Sequence, residues 1–256
     1  MKSLVLFSCF LTAVIGIQST CSPEARAVST SVSSPLSDSS LNMLTKEQLM
    51  GQFDPAVDSN FVRVEAPYTA RAGMLLRREV YEAFKKMWQA ARKENITLTI
   101  ISSTRNFEQQ KKIWEGKWER FAKETPDSEE RALRILEYSS MPGTSRHHWG
   151  TDLDINDLND ASFVGKGEHR EVYEWMVKNA ALFGFGQPYT EKGPARPHGY
   201  NEEKWHWSYL PLAKQYRAQY VKEVRDEDIT GFRGAETAVL IGVVNKYVSG
   251  VSHYCQ

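Results

Sequence analysis

Apolar residues recur at positions 76, 80, 83, 84, 87, 88 and 91 of the stretch from Leu75 to Glu94. That is helical spacing, with charges on the opposite face, and Asn95 is a natural stop. Thr97 to Ile101 alternates and is rich in β-branched residues, which predicts a strand. Phe107 to Phe121, with Ile113, Trp114 and Trp118 inside it, predicts a second helix. Asp152 to Ile155 and Trp205 to Tyr209 predict short strands. Arg170 to Phe183 predicts a helix ended by Gly184, and Pro211 to Val224 one that opens on its proline. Ala235 to Val248 predicts a last helix. Helices and short strands mix without a regular βαβ alternation, so the pattern predicts the α+β class. No internal repeat is visible.

A different pattern precedes this body. Met1-Lys2 leads into an apolar run from Leu4 to Ile17, broken only by Ser8, Thr12 and Gly16. A basic start and a short apolar core predict a secretory signal peptide over residues 1–20, and hence an exported protein of the periplasm or cell envelope. The run is short for a bilayer span, which takes about 20 residues. Cys21 resembles the lipidated cysteine of bacterial lipoproteins, which would anchor the protein to a membrane. In a plain secreted chain, Cys21 could instead pair with Cys255. Residues 27–42 are dominated by serine and cannot bury enough apolar surface to fold, so they read as a tether. The predicted layout is a signal peptide at 1–20, anchor and tether at 21–60, and one folded domain at 61–256.

Composition narrows the function. The chain has 256 residues, with 32 Lys+Arg against 32 Asp+Glu, for a net charge of zero. A nucleic-acid binder would need a basic footprint, so that class is excluded. Three cysteines exclude a disulfide-stapled mini-fold and a cysteine metal cluster. The histidines are more telling. His147 and His148 lie in Ser145-Arg146-His147-His148-Trp149-Gly150-Thr151-Asp152-Leu153-Asp154, and His206 lies in Glu203-Lys204-Trp205-His206-Trp207. Two histidines and one aspartate make a three-point zinc site with an open fourth position. A nearby carboxylate could then serve as general base. No HExxH occurs, so the site is not a helix-borne zincin. In a strand, His206 would point to one side while Trp205 and Trp207 anchor the other. Asp152 and Asp154 share a face, and spacing alone does not choose between them. His148 reads as exposed or supporting. Cys255 reads as a tail thiol, and Gly165-Lys166-Gly167 as a turn.

Ser145-x-His147-x-x-Gly150-x-Asp152-x-Asp154 resembles the SxHxxGxAxD signature of the D-alanyl-D-alanine metallo-carboxypeptidases. That family is related to the vancomycin-resistance dipeptidases and L,D-carboxypeptidases, and more distantly to lysostaphin and hedgehog. Glu203-x-Trp205-His206-Trp207 resembles its second signature. Ser102-Ser103-Thr104-Arg105-Asn106, with Gln110, is similar to a third element, and Pro142-Gly143 also fits. The resemblance covers roughly residues 65–250. It implies a small central antiparallel sheet carrying a zinc site and flanked by helices, with His147, Asp154 and His206 binding Zn²⁺. It implies Glu203 as general base toward the attacking water and Arg105 as the group that holds the scissile carbonyl oxygen. Ser145 and Gln110 are implied to position substrate. His169, His198 and His253 match no ligand position of the family pattern and read as surface residues. The implied partners are peptidoglycan stem peptides, acted on by a monomer that removes a terminal D-Ala. The alternatives are an L,D-carboxypeptidase, a murein endopeptidase with a groove open at both ends, and a zinc-stabilised binding module that does not cut. Two positions depart from the pattern. Asp152 stands where the family has Ala and needs a partner such as Arg146, Lys166 or Arg170. Thr104 stands where a Tyr is frequent.

Overall fold

The computed structural model describes residues 43–69 and 71–256. The predicted signal peptide, Cys21 and the serine-rich tether lie outside the described residues. None of the described helices is long and apolar enough to cross a membrane.

The α+β prediction holds. A short helix α1 (Lys46–Leu49) and a two-stranded ribbon, β1 (Phe61–Arg63) with β2 (Leu75–Arg77), precede helix α2 (Arg78–Lys93). Strand β3 (Ile100–Ser102) and helices α3 (Phe107–Phe121) and α4 (Ser128–Ile135) follow. Then come β4 (Asp152–Ile155), α5 (Glu168–Asn179), β5 (Phe185–Gly186), β6 (His206–Tyr209), α6 (Leu210–Glu223) and α7 (Thr237–Ile241). The main sheet has the spatial order β3-β4-β6-β5 and is antiparallel throughout.

Register places the chemistry. Asp154 pairs with both His206 and Ser102, Leu153 with Trp207, and Asp152 with Ser208. Side chains alternate along a strand, so Asp152, Asp154, His206 and Ser208 share one face. Leu153, Ile155 and Trp207 belong to the hydrophobic core.

Helix α2 buries Val80, Tyr81, Phe84, Met87 and Ala91, the apolar stripe its periodicity predicts. Its first predicted turn, from Leu75, is instead strand β2, because those residues pair with β1. Helix α3 opens at Asn106, whose side chain accepts from Gln109 N–H in a capping box, and it buries Trp114 and Trp118. The predicted last helix is broken. Gly242 takes φ +70° after Ile241, and the chain resumes as a π-turn over Val244–Val248. Trp207 anchors the core as expected. Trp205 precedes the strand and lies in a cavity wall, its ring centroid 6.3 Å from that of Tyr138. The packed body also starts earlier than residue 61. Leu44, Leu49 and Met50 are buried in the core, because α1 packs against α6 and the segment that carries His147.

Candidate metal centre and substrate cleft

Arg146–Trp149 form one turn of 3₁₀ helix in which all four side chains are buried. The turn ends at Gly150, φ +72°, where an added Cβ would lie 2.4 Å from the Phe61 ring. Only glycine meets both conditions. The four side chains leave in different directions. Trp149 Nε1–H donates to Leu49 O at 3.1 Å, and Arg146 Nε–H donates to Asp152 Oδ2 at 2.9 Å.

His147 has a fixed tautomer. His147 Nδ1 is 2.8 Å from Ser103 O, which can only accept, so that nitrogen carries the hydrogen. The Nε2 lone pair then faces Asp154 Oδ2 at 3.5 Å. His206 Nε2 is 2.8 Å from Asp152 Oδ2 and donates to it. Its Nδ1 faces Asp154 Oδ1 at 3.4 Å and Glu203 Oε2 at 3.1 Å. One donor atom each from His147, Asp154 and His206 lies within 4.8 Å of the others. Asp154 Oδ1 is buried without a hydrogen-bond partner.

Carboxylates that converge in a buried place require a positive charge. Burial would lower the pKa of His206, but the bonds to Asp152 and Glu203 outweigh it and lift the value to about 10. Burial would raise Asp154, but His147, His206 and Arg105 hold it at about 2. Burial pushes the Glu203 carboxyl up, and the contact with His206 offsets part of the rise. Two imidazoles, held from behind by Ser103 O and Asp152, and a carboxylate with an unpartnered oxygen are a donor set that fits zinc.

Asp152 is not loose beside this centre. It is wholly buried, it accepts from Arg146 and from His206, and the Thr151 hydroxyl donates to its Oδ1 at 2.7 Å. Of the three partners the sequence suggested, Arg146 is the one in place.

Arg105 enters from just beyond β3. Its Nε donates to Gln110 Oε1 at 2.9 Å and its Nη1 to the Ser102 hydroxyl. Nη1 is also 3.8 Å from Asp154 Oδ2. Gln110 Nε2 in turn donates to Ser140 O at 2.8 Å. The backbone of Arg105 is clamped at both ends. Its N–H donates to His147 O at 3.2 Å, and its carbonyl accepts from His148 Nδ1 at 2.7 Å.

His148 is therefore neither exposed nor idle. It is fully buried, and its Nε2 accepts from Gly143 N–H at 3.1 Å. Burial is the main cause that drives its pKa down to about 3, so the ring stays neutral. Ser145 is buried, does not line the cavity, and has a hydroxyl without a partner. His198 and His253 are exposed and His169 is half-buried, all away from the centre. Cys255, the tail thiol, is buried.

These groups meet in a cavity of about 370 Å³. Arg105 and Gln110 line it beside His147, Asp154, Glu203 and His206. The sequence reading missed Tyr189, whose ring centroid lies 4.8 Å from that of His206, as well as Lys117. No local motif marks them, since they converge from separate segments. A second cavity of about 360 Å³ shares Arg105 and Asp154 and adds Arg71, Thr104 and Gln109. The cleft therefore continues on both sides of Asp154. A larger cavity of about 610 Å³, beside Arg77 and Tyr216, contains none of the predicted site residues.

The fold and site define a metallopeptidase-like centre on an antiparallel sheet. The family model described as VanY, D-alanyl-D-alanine carboxypeptidase, matches residues 73–212, and the chain belongs to that family. An Enterococcus faecalis D-alanyl-D-alanine carboxypeptidase is 28% identical over 129 residues, 49% of this chain and 45% of that protein. The chain thus spans less than half of that relative. A vancomycin-resistance D,D-pentapeptidase VanY mutant in complex with Zn(II) is 22% identical, with a TM-score of 0.46 over 68% of this chain and 93% of that one. The LdcB LD-carboxypeptidase is 22% identical, with a TM-score of 0.49 over 77% of this chain and 81% of that one.

Proposed function

We propose that this protein is a Zn²⁺-dependent carboxypeptidase that removes the terminal D-Ala from D-Ala-D-Ala ends of peptidoglycan stem peptides. One observation carries the reading. A ring nitrogen each from His147 and His206 and the Asp154 carboxylate converge beside Glu203 and Arg105 in a single cleft. A module that only grips peptide has no use for a buried base and a guanidinium beside its metal donors.

Bound at this centre, zinc would supply a Lewis acid and lower the pKa of a water to roughly 7. The chain's own residues would do the rest. Glu203 accepts a proton from the attacking water as its oxygen bonds to the scissile carbonyl carbon. Burial raises the basicity of Glu203, which suits that task. Arg105 is held through Nε and Nη1 by Gln110 and Ser102, and it faces the carbonyl oxygen as negative charge develops. The C–N bond then breaks, and Glu203 returns its proton to the leaving amine. Gln110 thereby becomes a positioning residue for Arg105. Export, read from residues 1–20 and Cys21, would put the domain where such peptides occur.

The test is mass spectrometry of synthetic pentapeptide and tetrapeptide stems incubated with zinc or with chelator. Chelator-sensitive loss of one D-Ala from the pentapeptide is expected. Loss from the tetrapeptide instead would make the protein an L,D-carboxypeptidase. Glu203→Ala should keep zinc and lose turnover; unchanged turnover would remove Glu203 from the mechanism.

A further inference from the structure

Helix α3 forms one wall of the cleft through Gln110, Ile113 and Lys117, spaced three and four apart on one helical face. Gln110 is engaged with Arg105. Lys117 has no comparable task. Its Nζ donates to the Ser139 hydroxyl at 2.5 Å, and it forms no ion pair among the described residues. Burial lowers its pKa, with the charge of Glu203 acting the other way. An ammonium partly withdrawn from water without a matched anion is costly to the fold. It becomes favourable once a ligand supplies the anion.

The groups assigned so far polarise a carbonyl, move a proton and hold a metal. None of them distinguishes the end of a peptide from its middle. The chemical difference is an α-carboxylate one residue beyond the scissile bond. Arg105 is already committed through two of its nitrogens. Lys117 and Ser139 are suited to that carboxylate. The ammonium has donors beyond the one spent on Ser139, and the Ser139 hydroxyl, which accepts from Lys117, still has its own hydrogen to donate.

We propose that Lys117 and Ser139 bind the C-terminal α-carboxylate of the substrate and so restrict cleavage to the last residue of a chain. The proposal rests on the peptidase reading above. It assigns the Lys117 side of the cleft to the leaving residue and the Thr104 side to the rest of the peptide.

The experiment uses the full chain, zinc-loaded and carrying Glu203→Ala so that ligands stay intact. Calorimetric titration is run with pentapeptide and tetrapeptide stems, each as the free acid and as the C-terminal amide. With Lys117 present, the acid of the preferred stem should bind roughly 10–100-fold more tightly than its amide. Lys117→Met should collapse that ratio by weakening the acid alone, and Lys117→Arg should keep most of it. The proposal is overturned by equal affinity for acid and amide, by equal weakening of both in Lys117→Met, or by no binding of any peptide. Turnover by the chain with Glu203 intact is measured separately. Absence of cleavage there would sink the peptidase reading, while the acid-to-amide ratio would still judge Lys117.

Discussion

Asp152 sits two residues from a metal-donor position and carries a second negative charge into a wholly buried place. Arg146 makes this tolerable, and the pair then turns to His206. By accepting from Nε2, Asp152 fixes Nδ1 as the imidazole nitrogen that faces the centre. Asp152→Ala should therefore weaken zinc binding roughly 10–100-fold in a competition titration against a chromophoric chelator. It should also destabilise the fold by about 3–5 kcal/mol, because Arg146 loses its buried partner. Asp152→Asn retains an acceptor for His206 and should lose less zinc affinity. Unchanged affinity in Asp152→Ala would mean that strand β6 alone orients the ring. At this scale the sequence revealed types and not partners. Arg146 was one of three candidates for Asp152, and only the fold selected it. His148 read as exposed or supporting, and a single 3₁₀ turn decides for the second by sending it inward to hold Arg105.

The 3₁₀ turn from Arg146 to Trp149 shows how an element converts spacing into geometry. It ends at Gly150, which has a left-handed backbone and the Phe61 ring where a Cβ would lie. Gly242 offers a natural comparison, with φ +70° against φ +72° but no atom within 4 Å of an added Cβ. Gly242→Ala should cost about 1–2 kcal/mol from backbone strain alone. Gly150→Ala should cost about 1–3 kcal/mol more, from the clash. Urea unfolding of the two variants reads the difference, and equal costs would show that Phe61 moves aside freely. Long amphipathic elements such as α2 and α3 were legible because their stripes run for several turns. Helix α4 was missed because it buries only Ala132 and Ile135, and β1 because three residues carry no periodicity.

Across the whole molecule, the sheet order β3-β4-β6-β5 brings Ser102, Asp154 and His206 into one row from distant parts of the chain. The segment ahead of β1 supports that row from behind. Leu49 O accepts from Trp149 Nε1, Gly51 O accepts from Phe107 N–H at 2.7 Å, and Leu44 N–H donates to Gln219 Oε1 at 3.1 Å. A chain that begins at residue 61 loses all three contacts, together with three buried apolar side chains, Leu44, Leu49 and Met50. Compared with a chain that begins at residue 43, it should melt at least several degrees lower and bind zinc more weakly. Thermal unfolding with and without zinc checks both. Equal melting points would put the boundary back at residue 61.

What the sequence determined by itself was the set of chemical types and their local spacing: His147 with Asp154, Glu203 with His206, Arg105 with Gln110. Those are short-range properties, because a strand or a turn fixes the relative direction of side chains a few residues apart. What only the tertiary structure decided was which outer groups hold them. The hydrogen bonds from His147 to Ser103, from His206 to Asp152 and from His148 to Arg105 cross between segments. The same is true of the placement of Lys117 in the cleft wall. Such contacts depend on register and packing between strands and helices, and no periodicity within one segment encodes them.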